Sequence, residues 1–235
     1  MTATSGLRDT DAGFSILKWE GDTSSGGSIT HGLNAKPEFV IHKRLDNTWN
    51  WDIYFETIGY DGTPTGTVDS FVFTTATPRS VSLLHPDATN LNLTNNFTNG
   101  DGAKMIAYCW HSVPGYSSFG EYISNASQIQ GPDNNGQFTF TGFKPAFVLI
   151  KSLSGANDWG IRDNARSPQN PRQRVLRWNE EASSQEEQDT AGYAIDFVSN
   201  GFKLRANGTE THSPGSRFVY AAFAEKPAHL TKAGI

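Results

Sequence analysis

A single cysteine, Cys109, stands among the 235 residues, so no intrachain disulfide can close and no cysteine-based zinc site can form; packing and hydrogen bonds must hold the fold. Charge is scarce as well. Only 18% of the residues are charged, and 19 Lys and Arg against 24 Asp and Glu leave a formal net charge of −5, which denies the chain the basic surface that phosphate backbones require and argues against a nucleic-acid partner. Long apolar runs are missing too. The purest, Ala146 to Ile150, is far short of the roughly 20 residues that span a bilayer, so no membrane insertion is expected. The opening stretch MTATSGLRDTDAGF has neither a basic n-region nor an apolar h-region, and no secretory signal is expected from it.

Catalytic signatures are equally sparse. The histidines at 31, 42, 85, 111, 212 and 229 form no HExxH, and GxSxG, GxGxxG and GxxxxGK[ST] are all missing. No catalytic residue, metal ligand or cofactor is therefore expected. Cys109 and His111 would share one face of a strand as a nucleophile and base, but the internal match described below puts Ala222 and Ala224 in their places, which favours packing. Glycoside hydrolysis needs only two carboxylates at the right separation, and Asp52, Glu56, Asp158 and Asp163 lie near tryptophans; a polysaccharide depolymerase stays open on that ground.

What the chain does contain is 23 Gly, 11 Pro and 12% aromatics, a balance that favours turns and sheets. Phe71-Val72-Phe73, Val81-Ser82-Leu83, Phe138-Thr139-Phe140, Ile195-Asp196-Phe197 and Phe202-Lys203-Leu204 alternate at period two, and Asn99-Gly100, Asp101-Gly102 and Asn200-Gly201 supply tight turns. An antiparallel all-β protein follows. One short helix is allowed after Pro171, where Val175, Leu176 and Trp178 give barely one turn of apolar stripe.

The chain also repeats itself. HGLNAKPEFVIHK at 31–43 matches TGFKPAFVLIK at 141–151, with Trp51 and Trp159 each eight residues beyond the shared lysine, and Gly13-Phe14-Ser15 answers Gly115-Tyr116-Ser117. KMIAYCWHSVP at 104–114 matches RFVYAAFAEKP at 217–227. These landmarks predict an antiparallel β-sandwich, jelly-roll or lectin-like, built from two tandem related repeats at 13–114 and 115–227, between an N-terminal segment 1–12 and a tail 228–235. Ile106, Tyr108, Trp110, Val219 and Phe223 are expected in the core or between repeats. Retention in both copies assigns Trp51 and Trp159 to packing, whereas Trp49 and Trp178 are candidates for ligand binding. The charge-segregated stretch, with Arg172, Arg174 and Arg177 followed by Glu180, Glu181, Glu186 and Glu187, reads as a solvated loop or as a contact between subunits.

Five ordered motifs, AYCWHSVPGYSSFGEY (107–122), FTGFKPAFVLIK (140–151), WGIRDNARSPQNP (159–171), IDFVSNGFKLR (195–205) and YAAFAEKP (220–227), resemble a repeat domain of virion structural proteins of tailed bacteriophages, frequent in phages of cyanobacteria and marine bacteria. The resemblance implies a non-enzymatic, tail-fibre-like protein on the virion, assembled in the bacterial cytoplasm, with other virion proteins as partners and a host-surface glycan as a possible ligand. It is also compatible with a capsid decoration role. A homotrimer is the expectation from the symmetry common to both settings. A free carbohydrate-binding module is a further reading.

Overall fold

The computed structural model describes residues 5–22, 26–57, 67–73, 79–93, 98–125, 136–180, 187–206 and 208–226. They fall into two compact units that meet in sequence between Ser112 and Val113, two residues before the Pro114–Gly115 boundary expected from the repeat.

In unit 1 the strands are β1 (Ser5–Asp9), β2 (Phe14–Glu20), β3 (Gly27–Thr30), β4 (Phe39–Arg44), β5 (Trp51–Phe55), β6 (Thr67–Val72), β7 (Arg79–Leu84), β8 (Asn90–Leu93) and β9 (Lys104–Trp110). Seven of them form a sheet in the order β1-β2-β9-β4-β5-β6-β7, and β3 pairs with β8. Unit 2 contains β10 (Ser117–Ile123), β11 (Phe138–Phe140), β12 (Pro145–Ser152), β13 (Gly160–Asp163), β14 (Arg174–Arg177), β15 (Glu187–Asp189), β16 (Ile195–Val198), β17 (Gly201–Leu204) and β18 (Arg217–Ala224). Its large sheet runs β10-β18-β12-β13-β14-β15 and its small sheet β11-β17-β16. All strand pairs are antiparallel. The protein is an all-β antiparallel sandwich.

The two large sheets share one strand order: β2-β9-β4-β5-β6-β7 corresponds position by position to β10-β18-β12-β13-β14-β15, and β3-β8 to β11-β17. Unit 1 adds β1 at an edge and unit 2 adds β16. Glycines that precede the first shared strand, Gly13 and Gly115, both take positive φ, 62° and 77°, a conformation that side chains disfavour. The register corrects the GFS/GYS match by one residue: Phe14 lies opposite Trp110, and Ser117, not Tyr116, lies opposite Phe223.

Each unit buries the inner face of its large sheet against its small one. In unit 1, Leu17, Trp19, Val40, Tyr54, Met105, Ala107 and Cys109 meet Ile29, Leu91 and Leu93. In unit 2, Tyr122, Val148, Ile150, Phe218 and Tyr220 meet Ile195, Phe197, Phe202 and Leu204. The period-two alternation thus places the core, with one inversion: on β11 it is Thr139 that points inward, 6% exposed, while Phe138 and Phe140 are 40% and 64% exposed. Among the described residues no α-helix forms after Pro171. Arg174–Arg177 is a strand instead, Val175 being fully buried on its inner side, and the helical geometry present among the described residues is a single 3₁₀ turn, Ala191–Tyr193. No helix among the described residues is long and apolar enough to cross a membrane.

Candidate functional site

The lysine shared by both halves has a structural task that also sets the presentation of the tryptophans. Lys43, at the end of β4, donates from Nζ to the carbonyls of Arg44 (2.7 Å), Asn47 (3.1 Å) and Trp49 (2.5 Å), closing the β4–β5 hairpin around its ammonium group. Lys151, its counterpart on β12, donates to the carbonyl of Asn157 in the β12–β13 hairpin and lies 5.8 Å from the ring centre of Trp159. Burial pushes the Lys151 pKa down to about 8, against the pull of the Asp158 and Glu210 charges. The locked hairpin of unit 1 carries Trp49, 42% exposed, with the Arg44 guanidinium 5.2 Å from its ring centre. Lys43→Met removes three hydrogen bonds without removing volume, and the expected result is a faster-exchanging set of amides at Asn47 to Trp51 with the rest of unit 1 unchanged, read by hydrogen exchange. Uniform protection across wild type and variant would show that the ammonium group does not hold the loop.

Trp51 departs from expectation. It is 37% exposed, whereas Trp159 is fully buried. Trp51 stacks on Tyr108 at 6.4 Å between ring centres, and the residue that answers Tyr108 in unit 2 is Ala221. Trp178 follows β14, donates its backbone N–H to the Trp159 carbonyl at 3.0 Å and is 49% exposed. Exposed indoles therefore stand at the same end of each large sheet, the end bearing the lysine-braced hairpin.

At the other end of β12 lies a cleft of about 520 Å³, lined by Gly115, Phe143, Lys144, Pro145, Ala146, Asn164, Pro168, Arg172, Ala224, Glu225 and Lys226. Lys144, Glu225 and Lys226 are exposed around it. Arg172 is 3% exposed; its guanidinium lies 4.4 Å from the ring centre of Phe197, Nη1 donates to Asn170 Oδ1 at 2.5 Å, and Nε has no hydrogen-bond partner among the described residues. Desolvation lowers its pKa against the pull of Asp196 and Asp163.

A family model described as a domain of unknown function, DUF7483, matches residues 2–227 and so runs across both units. The chain belongs to the DUF7483 family. No curated protein and no solved structure matches it.

Several charged residues of this DUF7483 chain that the sequence offers to a neighbouring subunit turn out to face inward. Arg177 is 8% exposed, pairing with Glu210 through Nη2 at 2.5 Å and Nε at 2.7 Å, and with Asp158 at 3.3 Å. Its Nη2 also donates to the Tyr193 hydroxyl at 3.2 Å. Arg162, beside it, is completely buried and reaches the Tyr193 carbonyl at 3.3 Å; a Cβ on Gly160 would overlap its guanidinium, which would have to shift. Arg172 and Arg177 are thus interior groups, a correction with two causes: alternation on β14 turns Arg177 inward, where Glu210 supplies its acid, and Arg172 packs against the Phe197 ring and Asn170. Arg174 stays outside, 3.5 Å from both Glu187 and Asp189 on the adjacent strand. Glu180 is partly buried next to Arg177 in sequence space, its N–H donating to the Arg177 carbonyl at 3.4 Å. Glu181 and Glu186 lie outside the described residues.

The carboxylates near the tryptophans are engaged locally: Glu56 with Lys36 at 2.6 Å, Asp158 with Asn179 Nδ2 at 2.7 Å, Asp163 with Arg166, while Asp52 is 7% exposed. Cys109 is fully buried and its thiol pKa is pushed up to about 12 by burial, so it carries no thiolate at neutral pH. Sequence reading did not find the cleft. Its signal was nonetheless present, in the differences between copies at Glu38/Ala146 and Glu56/Asn164 beside a retained lysine.

Proposed function

We propose that this chain is a non-enzymatic structural protein of a tailed-phage virion, a tail-fibre or tail-tip component that contacts a glycan on the host surface. The observation that carries the contact is the pair of exposed indoles, Trp49 and Trp178, each at the hairpin end of its sheet. Indoles held on a rigid scaffold give stacking area to sugar faces at low ordering cost. The virion setting is supported by the five-motif resemblance; the non-enzymatic reading is supported by the protonated Cys109 and by Glu56, Asp158 and Asp163 being held in local pairs. Other virion proteins are its partners, with a symmetric homo-oligomer, a trimer, as the working assembly.

A capsid decoration role draws on a different observation, the exposed Phe138 and Phe140 on edge strand β11, which would pack against neighbouring subunits. The glycan reading is tested by adsorption of the full chain to host cells and to extracted host polysaccharide. Trp49→Ala and Trp178→Ala are expected to weaken adsorption, the more important indole by about tenfold. Wild-type adsorption by both variants would overturn it.

A further inference from the structure

The cleft of unit 2 has its own reference inside the molecule, because the segments that line it are the ones the two halves share. Lys36-Pro37-Glu38 aligns with Lys144-Pro145-Ala146, and Glu56 with Asn164. The backbone frame is the same: Glu56 N–H donates to the Glu38 carbonyl at 2.8 Å, and Asn164 N–H to the Ala146 carbonyl at 3.0 Å. What differs is the charge. In unit 1, Lys36 is neutralised by Glu56, 2.6 Å away, and the Glu38 carboxylate accepts the Ser112 N–H. In unit 2 both carboxylates are gone and the lysine remains.

Lys226 joins it, where unit 1 has Val113, and the buried Arg172 adds a third cation to the lining. Neither Lys144 nor Lys226 has a hydrogen bond or ion pair among the described residues. The negative groups nearby do not restore the balance. Glu225 is the one acid of the lining; Asp163 and Asp196, which act on Arg172 through space, are already ion-paired with Arg166 and Arg205.

We propose that this cleft binds a carboxylate-bearing sugar, a hexuronate unit, whose carboxylate takes the place that Glu56 and Glu38 fill in unit 1. A cation left without its anion is the chemistry that recognises a carboxylate, and Arg and Lys supply charge-assisted hydrogen bonds to it. The size decides for a sugar over a lone acidic side chain: about 520 Å³ falls within the roughly 300–1,000 Å³ of small-molecule sites. Pro168 and the half-buried Ala146 offer apolar surface to a pyranose face, and the Asn164 amide offers donors and an acceptor to its hydroxyls. The inference stands apart from the exposed indoles, since Trp178 lies at the opposite end of the unit 2 sheet and Trp49 belongs to unit 1, so the two readings fail separately.

The test is calorimetric titration of the full chain with glucuronate, with glucose and a glutamate-containing peptide as comparison ligands, at low salt. Saturable binding of glucuronate, none of glucose and weaker binding of the peptide are the expected results. Asn164→Glu, which installs the ion pair that unit 1 carries and so keeps the fold, is expected to weaken glucuronate binding by about tenfold or more, as is Lys144→Gln. Circular dichroism of both variants verifies that they are folded. Absence of saturable glucuronate binding, equal binding of glucose, or unchanged affinity in folded Asn164→Glu overturns the proposal. A peptide that binds more tightly than glucuronate overturns the assignment to a sugar in favour of a protein partner.

Discussion

Replacing Arg177 by methionine is expected to destabilise unit 2 by about 3–5 kcal/mol, because the substitution removes the hydrogen-bonded partner of buried Glu210 and leaves Arg162 alone to oppose its desolvation. Side-chain exposure is 9% for Arg177 and 4% for Glu210, so water cannot take over the role of the lost guanidinium. Burial already raises the Glu210 pKa, and the Arg162 and Arg177 charges are what oppose that rise. Without Arg177 the carboxyl climbs further above its unfolded value. Between those two values the folded state then binds more protons than the unfolded state, so the variant recovers part of its deficit as pH falls through that window. Adding Glu210→Met to Arg177→Met is expected to return much of the loss, since the two effects are coupled. Urea unfolding of the single and double variants checks both statements. A single variant within about 1 kcal/mol of wild type would mean that the pair behaves like a surface ion pair.

The second large effect is acid sensitivity of unit 1 through His42. This side chain is 6% exposed on β4, edge-on to Trp19 at 6.4 Å between ring centres, and neither ring nitrogen has a hydrogen-bond partner among the described residues. Asp52 lies across from it on β5 but does not hydrogen-bond to it. Desolvation pushes the His42 pKa from 6.5 down to about 4. The unfolded imidazole therefore takes a proton at pH values where the folded one refuses it. Stability is lost as pH falls from 6.5 to about 4, by about 3 kcal/mol over the whole window, and the loss is complete below both values. Unit 2 carries Ile150 at the matching position. His42→Ile is therefore expected to fold, and to lose about 2 kcal/mol less than wild type between pH 7 and pH 5, read from urea midpoints of the unit 1 transition. Equal losses in the two proteins would place the acid sensitivity elsewhere.

These residues also show what a linear sequence reveals and what it withholds. Ile195-Asp196-Phe197 and Phe202-Lys203-Leu204 announce strands with one apolar face, and that face is the core of unit 2. Phe138-Thr139-Phe140 announces a strand equally well, but alternation does not say which face turns inward, and here the threonine does. Register within a sheet and the supply of partners from elsewhere decide such cases. The same limit governs Arg177: its acid comes from Glu210, 33 residues further on, so a block of arginines read along the chain looks like surface when part of it is interior. Trp51 and Trp159 occupy matching positions in sequence with opposite burial, which a shared spacing from the lysine does not reveal.

The candidate sites divide in the same way. Trp49 and Trp178 were legible as candidates, since unshared aromatics near strand ends are not needed for a common core. The cleft was not, because its lining gathers pieces from Gly115 to Lys226 that only the sheet order brings together. Comparing the halves residue by residue exposes it, through a lysine that both keep and two acids that only one has.

Quantitative mass spectrometry of purified phage particles, normalised to the major capsid protein, tests the central claim most directly. A tail-fibre or tail-tip component is expected at a few to a few tens of copies per particle. Absence of the chain from the particle, or a copy number in the hundreds that matches the capsid lattice, would contradict it.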